Sequence, residues 1–166
     1  MKKRWISLYV ENEIGVLARI SGLFSGKSYN LNSLTAGVTE DETISRMTIS
    51  LISDDRTFEQ IKKQLNRSIE VIKVVDFTET AIHMKELMFV RIRNCSEQDM
   101  VKLNYMRDIF QAKLIDYNPS TALLECVQTE DKNNDFIRLL ETVFPGRIEI
   151  VRGGSVAVEA VSITDR

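Results

Sequence analysis

Glu11-Asn12-Glu13-Ile14-Gly15-Val16-Leu17-Ala18-Arg19-Ile20-Ser21-Gly22-Leu23-Phe24 is the stretch on which the fold turns. Just before it, Arg4 to Val10 alternates. Ile6, Leu8 and Val10 take one side and Trp5, Ser7 and Tyr9 the other, which is strand periodicity. Within it, Val16, Ile20 and Leu23, with Leu17 and Phe24, fall at helical spacing and make one apolar stripe. A strand therefore hands over to a helix, with Gly15 at the junction. A glycine there leaves the first-turn N–H groups open beside the positive end of the helix dipole, a geometry suited to a small anion. Gly26 marks the helix stop.

Working outward, Tyr29-Asn30-Leu31-Asn32-Ser33 enters a second strand, Leu31 to Val38, in which Gly37 reads as a bulge. Thr39-Glu40-Asp41-Glu42-Thr43 is a polar turn. Arg46 to Ile52 then alternates with Met47, Ile49 and Leu51 inward, so the two strands form a hairpin. Ser53-Asp54-Asp55 supplies caps for a helix lined by Phe58, Ile61 and Leu65. Glu70 to Phe77 is a fourth strand, with Ile72 and Val74 sharing a face. The order β-α-β-β-α-β is the ferredoxin-like unit, with both helices on one face of a four-stranded antiparallel sheet.

The order then repeats. Residues 78–85 are polar and read as a connector. Glu86 to Arg93 is a strand with Met88, Val90 and Ile92 on one face. Ser96 to Gln111 is a helix with Val101, Tyr105 and Ile109 in register, started by Ser96 and Asp99. Lys113 to Tyr117 and Ala122 to Val127 are strands joined by the turn Asn118-Pro119-Ser120. Phe136, Leu139, Leu140 and Val143 line a helix stopped by Pro145-Gly146, and Arg147 to Val151 is a strand. Gly153-Gly154 reads as a turn before a further strand, Ser155 to Val161. The expected class is α+β, tandem ferredoxin-like βαββαβ units: 1–77, a connector 78–85, and 86–166. Each unit is small and each sheet has open edges, so a homodimer is expected.

Composition narrows the function. The 166 residues are 43% hydrophobic and 28% charged, enough for packed cores. A net charge of -2 argues against a general nucleic-acid binder. The third strand, Arg46 to Ile52, has no aromatic on which a base could stack. No stretch approaches the ~20 apolar residues of a membrane span, and Lys2-Lys3-Arg4 reads as a solvated N-terminus rather than a targeting signal. Cys95 and Cys126 lack metal or redox spacing and read as reduced thiols. With His83 alone, neither a metal site nor a nucleophilic triad is expected. A hydrolase of the acylphosphatase type would need an arginine beside an asparagine in the anion loop. Arg19 lies a full turn into its helix and reads as solvated or interfacial.

Glu11 to Ile20 resembles the opening of the ACT domain in the small regulatory subunits of acetolactate synthase (acetohydroxyacid synthase). The likeness continues through Gly22-Leu23-Phe24, Tyr29-Asn30-Leu31-Asn32-Ser33-Leu34 and Ser45-Arg46-Met47-Thr48-Ile49. Ile109 to Asp116 and Arg152-Gly153-Gly154 are similar to the second domain of the same subunits. Two departures stand out. Ile14 replaces the family's usual proline, which would have fixed φ. Lys27-Ser28-Tyr29-Asn30 replaces Arg-Gly-Tyr-Asn, so Ser28 stands where a residue tolerant of positive φ is common.

The resemblance implies a separate catalytic large subunit that carries thiamine diphosphate, Mg and FAD, with no cofactor and no catalytic residue on this chain. It implies a cytoplasmic homodimer that activates that subunit and confers feedback inhibition, most often by valine, bound where two ACT domains meet. For the carboxylate of valine, the backbone of Gly15, Val16 and Leu17 offers donors. For the ammonium, Asn12 and Asn30 offer acceptors. Leu17 and Leu31 offer an apolar wall. By family likeness Asn30 and Leu31 come from the partner subunit. One methylene more or less is worth about 1–3 kcal/mol, so isoleucine or leucine is expected to bind more weakly. The alternative is a free-standing ACT amino-acid sensor acting on another enzyme or on a transcription regulator, which the likeness over both halves disfavours.

Overall fold

A computed structural model describes residues 1–26 and 29–162; Ser28, and with it the second departure noted above, lies outside the described residues. The first six elements are β1 (Lys2–Glu11), α1 (Val16–Ser25), β2 (Leu31–Val38), β3 (Ile44–Ser53), α2 (Asp55–Leu65) and β4 (Val71–Asp76). They build a sheet in the order β2-β3-β1-β4, with β1 antiparallel to both of its neighbours. The alternation read in the sequence decides the core. Ile6, Leu8, Val10, Met47, Ile49 and Leu51 point to one face. There they meet Val16, Ile20 and Phe24 of α1 and Phe58, Ile61 and Leu65 of α2. Each such side chain, fully buried, contributes about 1.5–3 kcal/mol. Asp54 caps α2 by accepting from the Thr57 N–H at 2.7 Å.

Two local expectations for this sheet change. Ile72 does not share the core face with Val74. The β1–β4 register shifts between Tyr9 and Val10, so Leu8 faces Val74 and Val10 faces Val71. Ile72 is the extra residue and is turned outward. Nor is Gly37 a bulge: it pairs regularly with Arg46, between Ala36↔Met47 and Val38↔Ser45, and the irregularity of β2 falls between Leu31 and Ser33.

The second six elements are β5 (Ile82–Arg93), α3 (Glu97–Phe110), β6 (Lys113–Asn118), β7 (Thr121–Gln128), α4 (Glu130–Val143) and β8 (Ile148–Glu159), with sheet order β6-β7-β5-β8. Met88, Val90, Ile92, Ala122, Leu124 and Cys126 face Leu103, Met106, Phe136 and Leu140. Burial holds the Cys126 thiol up at about 11 and raises Cys95 too. At one end of this sheet Glu86, only 4% exposed, receives a fork of bonds from Arg152 (2.9 and 2.7 Å) and one from Asn133 (3.0 Å).

Here too the sequence reading needs correction. Val101, Tyr105 and Ile109 are exposed, and α3 buries Leu103 and Met106 with Met100 and Phe110 packed alongside. The helix carries two apolar stripes at compatible spacings, and the sheet takes the second. Gly153-Gly154 does not reverse the chain: β8 runs through both residues. A two-residue hairpin turn of type I′ needs positive φ at both central positions, and only Gly154 has it (φ 78). Strand β5 begins inside the expected connector. The compact units divide after His83, and the chain from Val156 onward belongs to the first.

Candidate functional site

The β1–α1 junction is built as the glycine suggested. Gly15 is the N-cap of α1 with φ 88, the left-handed region, and among the described residues no side chain caps this helix. No acidic residue stands in its first turn. The Arg19 N–H bonds to the Gly15 carbonyl at 2.9 Å and closes the turn. Of the three expected donors, the Val16 N–H already reaches the Glu13 carbonyl at 3.3 Å, whereas the Gly15 and Leu17 N–H groups bond to nothing among the described residues. Two donors at the positive end of a helix dipole suffice for one carboxylate oxygen each.

Asn12 is engaged within the chain. Its backbone N–H bonds to the Thr43 carbonyl (2.8 Å) and its Nδ2 to the Glu42 carbonyl (2.9 Å), while its Oδ1 accepts from Ser45 Oγ (2.9 Å). The side chain staples the Gly15 loop to the β2–β3 turn. That turn is itself locked by Asp41, which accepts from the Thr43 N–H (2.9 Å) and hydroxyl (2.6 Å); these bonds hold its carboxyl below the usual range. Asn12 keeps only one lone pair of Oδ1 for a ligand ammonium.

The apolar wall is half present. Leu17 is 49% exposed and Ile14 fully so, flanking the turn. Leu31, by contrast, packs against the first core, and neither it nor Asn30 reaches Gly15. The register explains this. Glu11 lies opposite Ile44, whereas Leu31 lies opposite Leu51 at the other end of the sheet. The ten residues of α1 span about 15 Å between them. One chain thus holds the donors and another stretch of surface, far off, holds the remaining expected groups.

One nearby group escaped the sequence reading. Arg19 is not merely solvated: a Cβ built on Gly15 would lie 3.7 Å from its Nη1, and its Nε pairs with Glu70 at 2.6 Å. A helical side chain leans toward the N-terminus and covers the preceding turn, and that rule places a residue four after the N-cap beside it. Among the described residues no three His, Cys, Asp or Glu side chains cluster as a metal site would require, and no helix is long and apolar enough to cross a membrane.

Comparison with known proteins bears on both halves. A family model described as the AHAS small subunit-like ACT domain matches residues 6–73, and one described as the small subunit of acetolactate synthase matches residues 85–161. The chain belongs to the acetolactate synthase small-subunit family. Among these small subunits, that of Aquifex aeolicus is 39% identical over 158 residues, covering 95% of this chain and 81% of the relative. The isozyme 3 small subunit of Escherichia coli is 36% identical over 157 residues, covering 94% of each. The crystal structure of the acetolactate synthase small subunit from Thermotoga maritima superposes with a TM-score of 0.86 at 29% identity, covering 98% of this chain and all of that one. The tandem ferredoxin-like arrangement, an ACT domain followed by a similar domain, is therefore the architecture of a small subunit in this family.

Proposed function

We propose that this chain is the regulatory subunit of an acetolactate synthase: it binds a separate catalytic large subunit, raises its activity, and makes it sensitive to a branched-chain amino acid, valine first. The chemistry on 2-oxo acids belongs to the thiamine-diphosphate-bearing partner, and this chain contributes binding alone. The observation that carries the reading is Gly15. A left-handed, uncapped glycine opens α1 between two exposed apolar side chains, in a chain that matches the family over both halves.

In this reading the carboxylate of valine rests on the Gly15 and Leu17 N–H groups and its isopropyl group on Leu17. Asn30 and Leu31 of a second copy complete the site and take the ammonium and the far side of the alkyl group. Inhibition then follows from linkage: if valine weakens the productive complex, that complex binds valine more weakly by the same factor.

Calorimetric titration of the purified chain with L-valine, with D-valine as control, tests the site. Stereospecific binding in the micromolar to millimolar range is expected. Gly15→Asp places a carboxylate in the anion position, so the variant should keep its fold and its activation of the catalytic subunit but lose the valine response. Full valine inhibition of a holoenzyme reconstituted with Gly15→Asp rejects this site.

A further inference from the structure

Gly37 stands next to last in β2 with no structural reason of its own. Its pairing with Arg46 is regular, so there is no bulge. Its φ lies outside the left-handed region. A Cβ built on it would meet no atom of the described residues within 4 Å, so none of these neighbours demands its smallness. A glycine inside a strand weakens it, and once bulge and strain are set aside the remaining common reason is close approach by something outside the chain. Approach is from above the sheet, because the Cβ direction is perpendicular to the strand pairing plane.

What lies above Gly37 is a cavity of about 440 Å³ on the sheet face away from the core, wholly within the first unit. Tyr9, Thr35, Arg46 and Thr48 line it from the sheet, Val38 and Thr39 from the hairpin, and Val156 from the end of β8. Two charged side chains line it, Glu40 and Arg46, and Arg46 is the cation. Its guanidinium lies over the Tyr9 ring at 5.0 Å, and its Nε donates to Ser7 Oγ at 2.8 Å. Its Nη2 reaches the Ala157 carbonyl (3.3 Å) and Glu159 (3.4 Å). Nη1 bonds to nothing among the described residues. A planar cation, held from three sides with one nitrogen spare, is arranged to receive a carboxylate oxygen. Val38 and Val156, both exposed, supply apolar contact.

We propose that this cavity binds a short branched monocarboxylate, its carboxylate on Arg46, its body over Gly37 and its alkyl group between Val38 and Val156. The site is separate from the Gly15 turn and does not depend on the reading of that turn. An amino acid and the corresponding 2-oxo acid share the required chemistry. Glu40, which also lines the cavity, would favour the ammonium-bearing one.

The test uses the full chain in ¹⁵N–¹H correlation spectra, titrated separately with 3-methyl-2-oxobutanoate, isobutyrate and L-valine. Shifts should centre on the Thr35, Gly37 and Arg46 amides. Gly37→Val fills open space with a strand-favouring side chain, so it should leave the thermal midpoint unchanged or higher while weakening this binding at least tenfold. Arg46→Lys keeps the charge but loses the fork, and should weaken it as well. Gly15→Asp should leave it intact. Response to L-valine alone names an amino acid as the occupant; response to all three names the carboxylate and alkyl group as sufficient. No shift at these amides with any of the three ligands, or shifts that persist in Gly37→Val, or shifts abolished by Gly15→Asp, overturn the proposal.

Discussion

At the scale of single residues, Gly15 is where backbone conformation and the proposed ligand chemistry meet. At φ 88 an L-residue costs roughly 1–2 kcal/mol more than glycine. Space is not the obstacle, since the nearest group to the added carbon is the end of the flexible Arg19 side chain. Gly15→Ala is therefore expected to fold and to lose about 1–2 kcal/mol in urea unfolding, with Gly15→Asn recovering part of the loss because asparagine tolerates this region. An unchanged midpoint for Gly15→Ala would mean that the turn relaxes and that its left-handed geometry is not imposed by the fold. Asn12 illustrates the converse: its backbone and side chain spend three hydrogen bonds on holding two loops together. Its contribution to any ligand is first of all to the posture of the Gly15 loop.

At the scale of elements, α3 depends on its first turn. Ser96 Oγ accepts from the Asp99 N–H (3.2 Å) and Asp99 Oδ2 accepts from the Ser96 N–H (3.0 Å), a reciprocal capping box. Arg147 adds a bond to the same Oδ2 at 3.0 Å and so ties the start of α3 to the segment before β8. The Ser96 N–H, then Arg147, hold the Asp99 carboxyl down at about 2, from its ordinary 3.8. A lowered folded-state value means stability that is fully present above pH 3.8 and is lost as pH falls toward 2. Urea midpoints measured across that window should fall more steeply for the natural chain than for Asp99→Asn, which should be the less stable of the two at neutral pH. Parallel pH profiles would show that these bonds do not distinguish the charged carboxylate.

The elements also show what a sequence can carry. Strands β1 and β3 were legible because each has one face against a core, so alternation is enforced over their whole length. Gly15, Gly26, Asp54 and Ser96 were legible because helix ends have a local chemistry. Ile72 was not, since its outward turn follows from a register shift on the neighbouring strand. The α3 stripe was not, because two faces of one helix satisfy the same spacing and only the sheet chooses between them. Gly153-Gly154 signalled flexibility and was used for one left-handed residue inside a strand, not for a turn. In the candidate site, backbone donors were readable from one glycine. The commitments of Asn12 and Arg19 arise from contacts across 30 and 51 residues of chain, to Glu42 and Glu70.

At the scale of the whole molecule, the groups proposed to hold the effector are split between the two ends of one sheet. Gly15 and Leu17 sit near the β2–β3 turn, Asn30 and Leu31 near the start of β1. A valine site that needs both sets requires two copies. On dilution, valine affinity should therefore fall in step with dimer dissociation, as read by analytical ultracentrifugation alongside calorimetry, and saturating valine should shift the equilibrium toward dimer. Valine binding that persists at full strength in a proven monomer would place the whole site within one chain.

Strand β8 starts in one compact unit and finishes in the other, where Arg46 grips the Ala157 carbonyl and Glu159. The polypeptide thus crosses between the units twice, once near His83 and once near Val156. Like a door on two pins, such a molecule is not taken apart by removing one. A protease nick between Thr78 and Thr80 would leave two fragments still interlocked through the returning tail, running as a single particle until a denaturant is added. For the same reason a deletion series that trims the C-terminus reports on the first unit before it reports on the second.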